Sequence, residues 1–423
     1  MNSGLPVTIP WPAPEAGRET ATTEAWIGWS AVVAFVGGLL TPFTVSVVGE
    51  LPVGELVLFG AAAWALLCTG VNHALPGRLF YSRQLRILLA CQAIALLGYV
   101  IADWYWHSAP RDIVRGWSRM GFLVVDILAV TYLFSRSRHN LLWLVGGLLA
   151  GDVVHALTFG ALYDDTWKFG FGVPCTYAAI LLASLVGPWG VFIASLALGA
   201  LHFTQDFRSV GGLCVGLAAL TLLQLLPRSF RVWALPFGLA AALAVVLALY
   251  SRVDTGDANR ASRSDIDRSS MIQAALEAVY QSPFIGHGSW FSRSHVYDEF
   301  LQIRDDAAKL AGVGGFQGPN EEPEDIALHS QLLVSLAEGG VLGGAFFIAF
   351  GFGLLSTLGR EILTQHWQRS TPVRVLVLLF ATWNLFLSPF SGAHRVGIAL
   401  AVGLILLMRG EQDERQSREA VAP

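Results

Sequence analysis

Of 423 residues, 54% are hydrophobic and only 14% are charged, against roughly 25% charged in soluble domains. With a mean hydropathy of +0.55, the chain cannot hide its apolar surface inside a water-soluble globule, so its solvent is a bilayer. The formal net charge of −4 gives no hint of a nucleic-acid partner, and none is expected.

Residues 1–25 (MNSGLPVTIPWPAPEAGRETATTEA) lack a basic segment followed by an apolar run, which predicts a short disordered tail and no signal peptide. Twelve apolar windows follow, at about 28–49, 53–70, 86–105, 119–135, 140–161, 169–186, 188–204, 211–227, 231–251, 330–358, 373–388 and 394–408. A helix needs roughly 20 apolar residues to cross hydrocarbon. The expected fold is therefore all-α and polytopic, with about twelve transmembrane helices. The boundary within 169–204 is soft, because only VGPWG separates two windows. With the N-terminus inside, inside segments hold fourteen arginines, while the short outside loops hold six cations: Arg111, Arg115, Arg119, Lys168, Arg208 and Arg395. That bias puts both termini in the cytoplasm. The expected organisation is a tail (1–25), transmembrane helices 1–9 (26–251), a large outside loop (252–328), helices 10–12 (329–408) and a second cytoplasmic tail (409–423). The four cysteines, Cys68, Cys91, Cys175 and Cys214, fall inside expected spans without metal-ligand spacing and read as packing residues.

Polar sequence concentrates in 252–328, where seven cations face thirteen carboxylates. A loop this long is functional or disordered. DRSSMIQAALEAVYQ puts Met271, Ala274, Ala275, Ala278 and Val279 on one helical stripe. SPFIGHGSW then reads as a turn, and YDEFLQIRDDAAKLAG as a second short helix. A mostly helical cap is expected, its charges a solvated face. Deeper ionisable groups are Asp126, Asp152, His155 and Glu338. Charge inside a membrane is a functional hypothesis by default. Asp152 and His155, at i and i+3, suit either a proton relay or a hydrogen-bonded pair that fixes helix packing.

The outside arginines run against the topology bias and call for partners. Arg208 (DFRSVGG), Arg268 (DRSSM), Arg395 (GAHRVG) and Arg111, Arg115 and Arg119 (PRDIVRGWSR) read either as groups snorkelling to headgroups and carboxylates such as Asp206 or Asp112, or as binders of an anionic ligand. A lipid diphosphate fits guanidinium groups, which stay charged and bind phosphate oxygens in bidentate fashion. At the mouth of the tenth window stands His329, in IALHSQLLVSLAEGGVLGG, nine residues before Glu338. Taken alone, His329 reads as a capping or packing histidine or as a base, and Glu338 as the partner of a buried cation or polar neighbour.

These stretches resemble the O-antigen ligase and O-antigen and exopolysaccharide polymerase superfamily. LHSQLLVSLAEGGVLGGAFF resembles the histidine that opens a helix with apolar–Glu–x–Gly. RSSMIQAALEAVYQSPFIGHGSWF resembles the arginine, helix and Gly-x-Gly turn upstream of it. DFRSVGG resembles an arginine after an outside-facing span, and WNLFLSPFSGAHRVGIALA the C-terminal helix pair of the polymerase branch. Two positions depart from the pattern: Ser330 stands where Asn is common, and Met271 where Trp is usual. The resemblance implies a GT-C-like membrane fold with a periplasmic loop and glycosyl transfer, without metal or other cofactor, from an undecaprenyl-diphosphate-linked glycan at the periplasmic face of the inner membrane. It implies His329 as the functional histidine and Arg208 and Arg268 as diphosphate-binding residues. Arg395 is added to that group by position, and Arg293 and Arg115 as weaker substrate contacts. Membrane lipids and a chain-length regulator are the further partners expected. Repeat-unit polymerase leads, ligase to lipid A–core is the close rival, and a lipid-linked sugar transporter or flippase is the alternative of another class.

Overall fold

The computed structural model describes residues 28–46, 50–72, 82–160, 165–227, 229–233, 258–290, 295–310, 330–364 and 368–421. The apolar windows become helices because a helix satisfies its own backbone groups where no water reaches. They are α1 (Trp29–Leu40), α2 (Val53–Asn72), α3 (Arg83–Trp106), α4 (Pro110–Arg136), α5 (Asn140–Phe159), a π-helical turn (Trp167–Phe171) running into α6 (Gly172–Val186), α7 (Pro188–Thr204) and α8 (Arg208–Leu225). Then come α9 (Ala258–Gln281), α10 (His295–Leu310), α11 (Gln331–Gly343), α12 (Ala345–Thr364), α13 (Thr371–Leu387) and α14 (Gly392–Val421). Among the described residues six helices are long and apolar enough to cross a membrane, and five shorter apolar helices accompany them. This is an all-α multi-pass membrane protein. Among the described residues the one departure is a small hairpin of β1 (Thr44–Ser46) and β2 (Glu50–Pro52), paired antiparallel.

Three expected boundaries change. Residues 330–358 are not one span: the helix breaks at Gly340, whose backbone (φ 63°, ψ −162°) is not helical, and restarts as α12. The break is filled from outside the helix. The Phe284 carbonyl sits where a Cβ on Gly340 would stand, and the Val341 N–H donates to the Pro283 carbonyl at 2.8 Å. Arg111, Arg115 and Arg119 are helical, not loop, because Pro110 at the first position of α4 starts the helix before them. Helix α14 also runs through residue 421, into the expected C-terminal tail. The tail 1–25, most of the ninth window and residues 311–329 lie outside the described residues.

The cap forms as its pattern indicates. Ala274, Ala275 and Ala278 of α9 are buried against Phe300 of α10 and against Val334 and Ala337 of α11, with Met271 and Val279 packed around them. One end of the bundle, where α3 gives way to α4, gathers the other junctions. Glu55 at the start of α2 meets Arg395 of α14. The His155 ring lies 5.3 Å from Phe43. Trp167 reaches His202 near the end of α7, and Asp103 at the end of α3 meets the cap at Ser289. Trp104, Tyr105 and Trp106 are exposed there, as suits aromatic rings at a membrane interface.

Gly340→Ala must force a left-handed, crowded position, at a cost of roughly 1–3 kcal/mol. Gly359→Ala, in α12 with nothing within 4 Å of its Cβ position, gains about 0.5–1 kcal/mol. Thermal unfolding in detergent is expected to fall for the first and hold or rise for the second.

Candidate functional site

The cap meets the bundle through residues 282–290, SPFIGHGSW, between α9 and the site end of α3, α4 and α11. Gly286 (φ 79°) and Gly288 (φ 87°) let this loop curl where side chains do not fit. Its backbone is stitched to α11 by three bonds: besides Val341 N–H to the Pro283 carbonyl, His287 N–H donates to the Ala337 carbonyl (2.8 Å) and Gly288 N–H to the Glu338 carbonyl (2.9 Å). Trp106 Nε1–H donates to the Gly286 carbonyl at 2.7 Å, and the His287 ring stacks on Trp106. His287 Nε2–H donates to the Ala278 carbonyl at 2.9 Å, since a carbonyl only accepts.

Two buried carboxylates anchor the loop. Asp103 accepts from Ser289 N–H (2.6 Å), Ser289 Oγ–H (2.7 Å) and Trp117 Nε1–H (2.8 Å). Glu338, 3% exposed, accepts Tyr99 Oη–H at 2.6 Å and Trp290 N–H at 3.1 Å, and forms an ion pair with Arg119. Arg119 also lies over the Trp290 ring (5.1 Å) and the Phe390 ring (5.0 Å), while Arg115 covers Trp290 at 5.5 Å. Trp290 holds φ 59°, a strained conformation for a bulky residue, and the Glu338 bond keeps it there. Glu338 thus pairs with a cation and polar neighbours, as its burial in an apolar window demands.

A second centre surrounds Arg208. Its Nε–H donates to Asp206 at 2.9 Å, one of the partners its position suggested, and Asp206 takes φ 51° to turn α7 into α8. His202, fully buried, holds the turn: Phe207 N–H donates to its carbonyl at 2.8 Å. The bonds assign the His202 tautomer. Trp167 Nε1–H can only donate, so Nδ1 accepts it at 3.2 Å. Thr176 Oγ–H donates to the Gly172 carbonyl, so His202 Nε2–H donates to Thr176 Oγ at 2.7 Å. Every site of this neutral imidazole is used, and it serves as a tie.

At the third centre Arg395 is bound in bidentate fashion to Glu55 at 2.9 and 2.7 Å, both groups buried, with Asp126 beside them. Its Nε and Nη2 are committed to that carboxylate. Arg268 is exposed on α9. His155 packs on Phe43 and Phe159. His329 and Arg293 lie outside the described residues; Ser330, immediately after His329, caps α11 by accepting from Leu333 N–H at 3.2 Å. The structure therefore joins Arg115 to the cap loop and gives Arg208 and Arg395 carboxylate partners. Tyr99, Asp103, Trp290 and His202 were not singled out from the sequence. Asp103 stands in ADWYWHS at the end of a window, and no local pattern there signals a partner 186 residues away.

Residues 191–348 match the family model described as O-antigen ligase. The matched stretch runs from α7 through α8 and the cap helices to the start of α12, and it encloses Arg208, Arg268, His329 and Glu338. No curated protein matches the chain.

Breaking a buried ion pair from one side leaves an uncompensated charge, worth about 3–5 kcal/mol. Arg119→Leu and Glu338→Leu are each expected to lower the unfolding temperature markedly. The double variant should lose less than the two single losses added together, measured as a double-mutant cycle by thermal unfolding in detergent.

Proposed function

With an O-antigen ligase domain over residues 191–348 of a multi-pass membrane protein as the premise, we propose that the chain is a glycosyltransferase of the inner membrane, with its active site facing the periplasm. Its donor is an oligosaccharide on undecaprenyl diphosphate and its acceptor a sugar hydroxyl. The observation that carries this reading is the family match itself, because it encloses Arg208, Arg268 and His329 in the order of the family pattern.

The chemistry follows from those residue types. The acceptor oxygen attacks the anomeric carbon, its proton passes to the His329 imidazole, and the bond from that carbon to the diphosphate oxygen breaks. Undecaprenyl diphosphate leaves with one more negative charge. Arg208 and Arg268 neutralise it, with Arg395 presenting Nη1, so no metal is invoked. A histidine titrates near working pH and suits the base, which contributes typically 10²–10⁴-fold. Direct displacement inverts the anomeric centre. Arg115, beside the cap loop, and Arg293 are assigned to saccharide contacts. Membrane lipids and a chain-length regulator are the proposed further partners.

Polymerisation of lipid-linked repeat units is the lead reading, because WNLFLSPFSGAHRVGIALA resembles the polymerase branch. Ligation of a finished chain to lipid A–core is the second, favoured by the description of the matched family. The test is made in the native host, deleted for this gene and rescued with wild type or His329→Ala at equal membrane levels. Short lipid-linked repeats that accumulate without long surface chains indicate the polymerase. Long chains held on the carrier indicate the ligase. The histidine variant is expected to lose at least about 100-fold in transfer, and full rescue by it refutes the assigned base. Carrier-linked glycan confined to the cytoplasmic side in the deletion supports a transporter instead.

A further inference from the structure

Helix α11 carries a row of buried polar side chains. Gln331, Ser335 and Glu338 stand at i, i+4 and i+7, within about 60° of one another around a helix of 3.6 residues per turn. Gln331 and Ser335 are fully buried. Glu338, at the deep end, is saturated by Tyr99, Arg119 and Trp290. At the other end, among the described residues, neither the oxygen nor the nitrogen of the Gln331 carboxamide has a hydrogen-bond partner. Ser335 Oγ adjoins the Tyr99 side chain without making a hydrogen bond of sound geometry. Ser330 does not relieve Gln331, because its hydroxyl serves Leu333 N–H and the Leu385 carbonyl.

A buried, unpaired amide is destabilising and uncommon in native proteins. Leucine or methionine would fill an apolar position on α11 without that defect. An unpaired carboxamide at that position is completed by a ligand that reaches it. The group both donates and accepts. Phosphate oxygens only accept, and would leave the carboxamide oxygen unpaired. A sugar hydroxyl donates and accepts, and satisfies both ends.

We propose that Gln331, with Ser335 one turn deeper, binds the hydroxyl groups of the sugar at the transfer site. This inference rests on the glycosyltransferase reading above and deepens it. Gln331 is a substrate-binding residue for a neutral saccharide, separate from the charged groups assigned to the diphosphate. It stands in the first turn of α11, one turn from Ser335.

The test uses the full chain in nanodiscs, with lipid-linked glycan extracted from the deletion host as the probe. Gln331→Met keeps the length and flexibility of the side chain and removes the amide. Its melting temperature is expected to hold or rise, because the unpaired group is gone, while KM for the extracted glycan rises about tenfold and kcat changes less. Ser335→Ala should raise KM by a smaller factor, and it carries the same test if Gln331→Met fails to reach the membrane. Wild-type KM and kcat in Gln331→Met overturn the inference and mark Gln331 as a packing residue. His329→Ala is measured alongside. If it is inactive while Gln331→Met is fully active, only this inference falls. If His329→Ala transfers normally, the assigned base falls, and a KM effect at Gln331 still reports saccharide binding.

Discussion

The Glu338 carboxylate is the contact on which the cap end of this molecule depends. It takes Arg119 from α4, Tyr99 from α3 and the Trp290 backbone from the cap loop, so one side chain of α11 holds three other pieces of chain. An uncompensated carboxylate among apolar helices is prohibitive. Each of these donors is therefore needed for the others to stay where they are. The loop cannot lift from α11 without exposing a buried charge, and α4 cannot slide along α3 without unpairing Arg119.

That constraint explains the broken helix. A continuous span from residue 330 would direct Val341 N–H inward along its own helix. In the fold that N–H serves the Pro283 carbonyl, and Gly340 bends away in a left-handed conformation. The cap loop thus enters the helix break as a structural part of it. Irregular backbone at such depth is tolerated because it is buried in protein and its polar groups are paired. Trp290 at φ 59° and Asp206 at φ 51° lie at the same end, one beside Glu338 and the other beside Arg208. Strained backbone concentrates where a fold holds groups in fixed positions.

The arginines at this end divide by environment. Arg119 and Arg395 are buried in carboxylate pairs that build the scaffold. Arg208 is itself largely buried and pairs with the half-exposed Asp206, and Arg268 stands exposed on the cap. A guanidinium paired with a buried carboxylate has its charge already answered.

Much of the architecture could be read from the amino-acid sequence. The apolar windows marked the helices because length and hydropathy are local properties. The stripe Met271–Val279 marked the buried face of α9 because helical periodicity is local too. The signature from His329 to Gly344 resembles the family whose model matches residues 191–348. Glu338 required a buried partner by its position alone. Which cation would supply it was decided only by the tertiary structure. Arg119 lies 219 residues away and reads locally as one of three loop arginines. The break at Gly340, the anchoring of the cap by Asp103 and the capture of Arg395 by Glu55 have the same origin. The sequence sets the energetic demand of a charge in an apolar segment, and three-dimensional proximity alone determines the group that meets it.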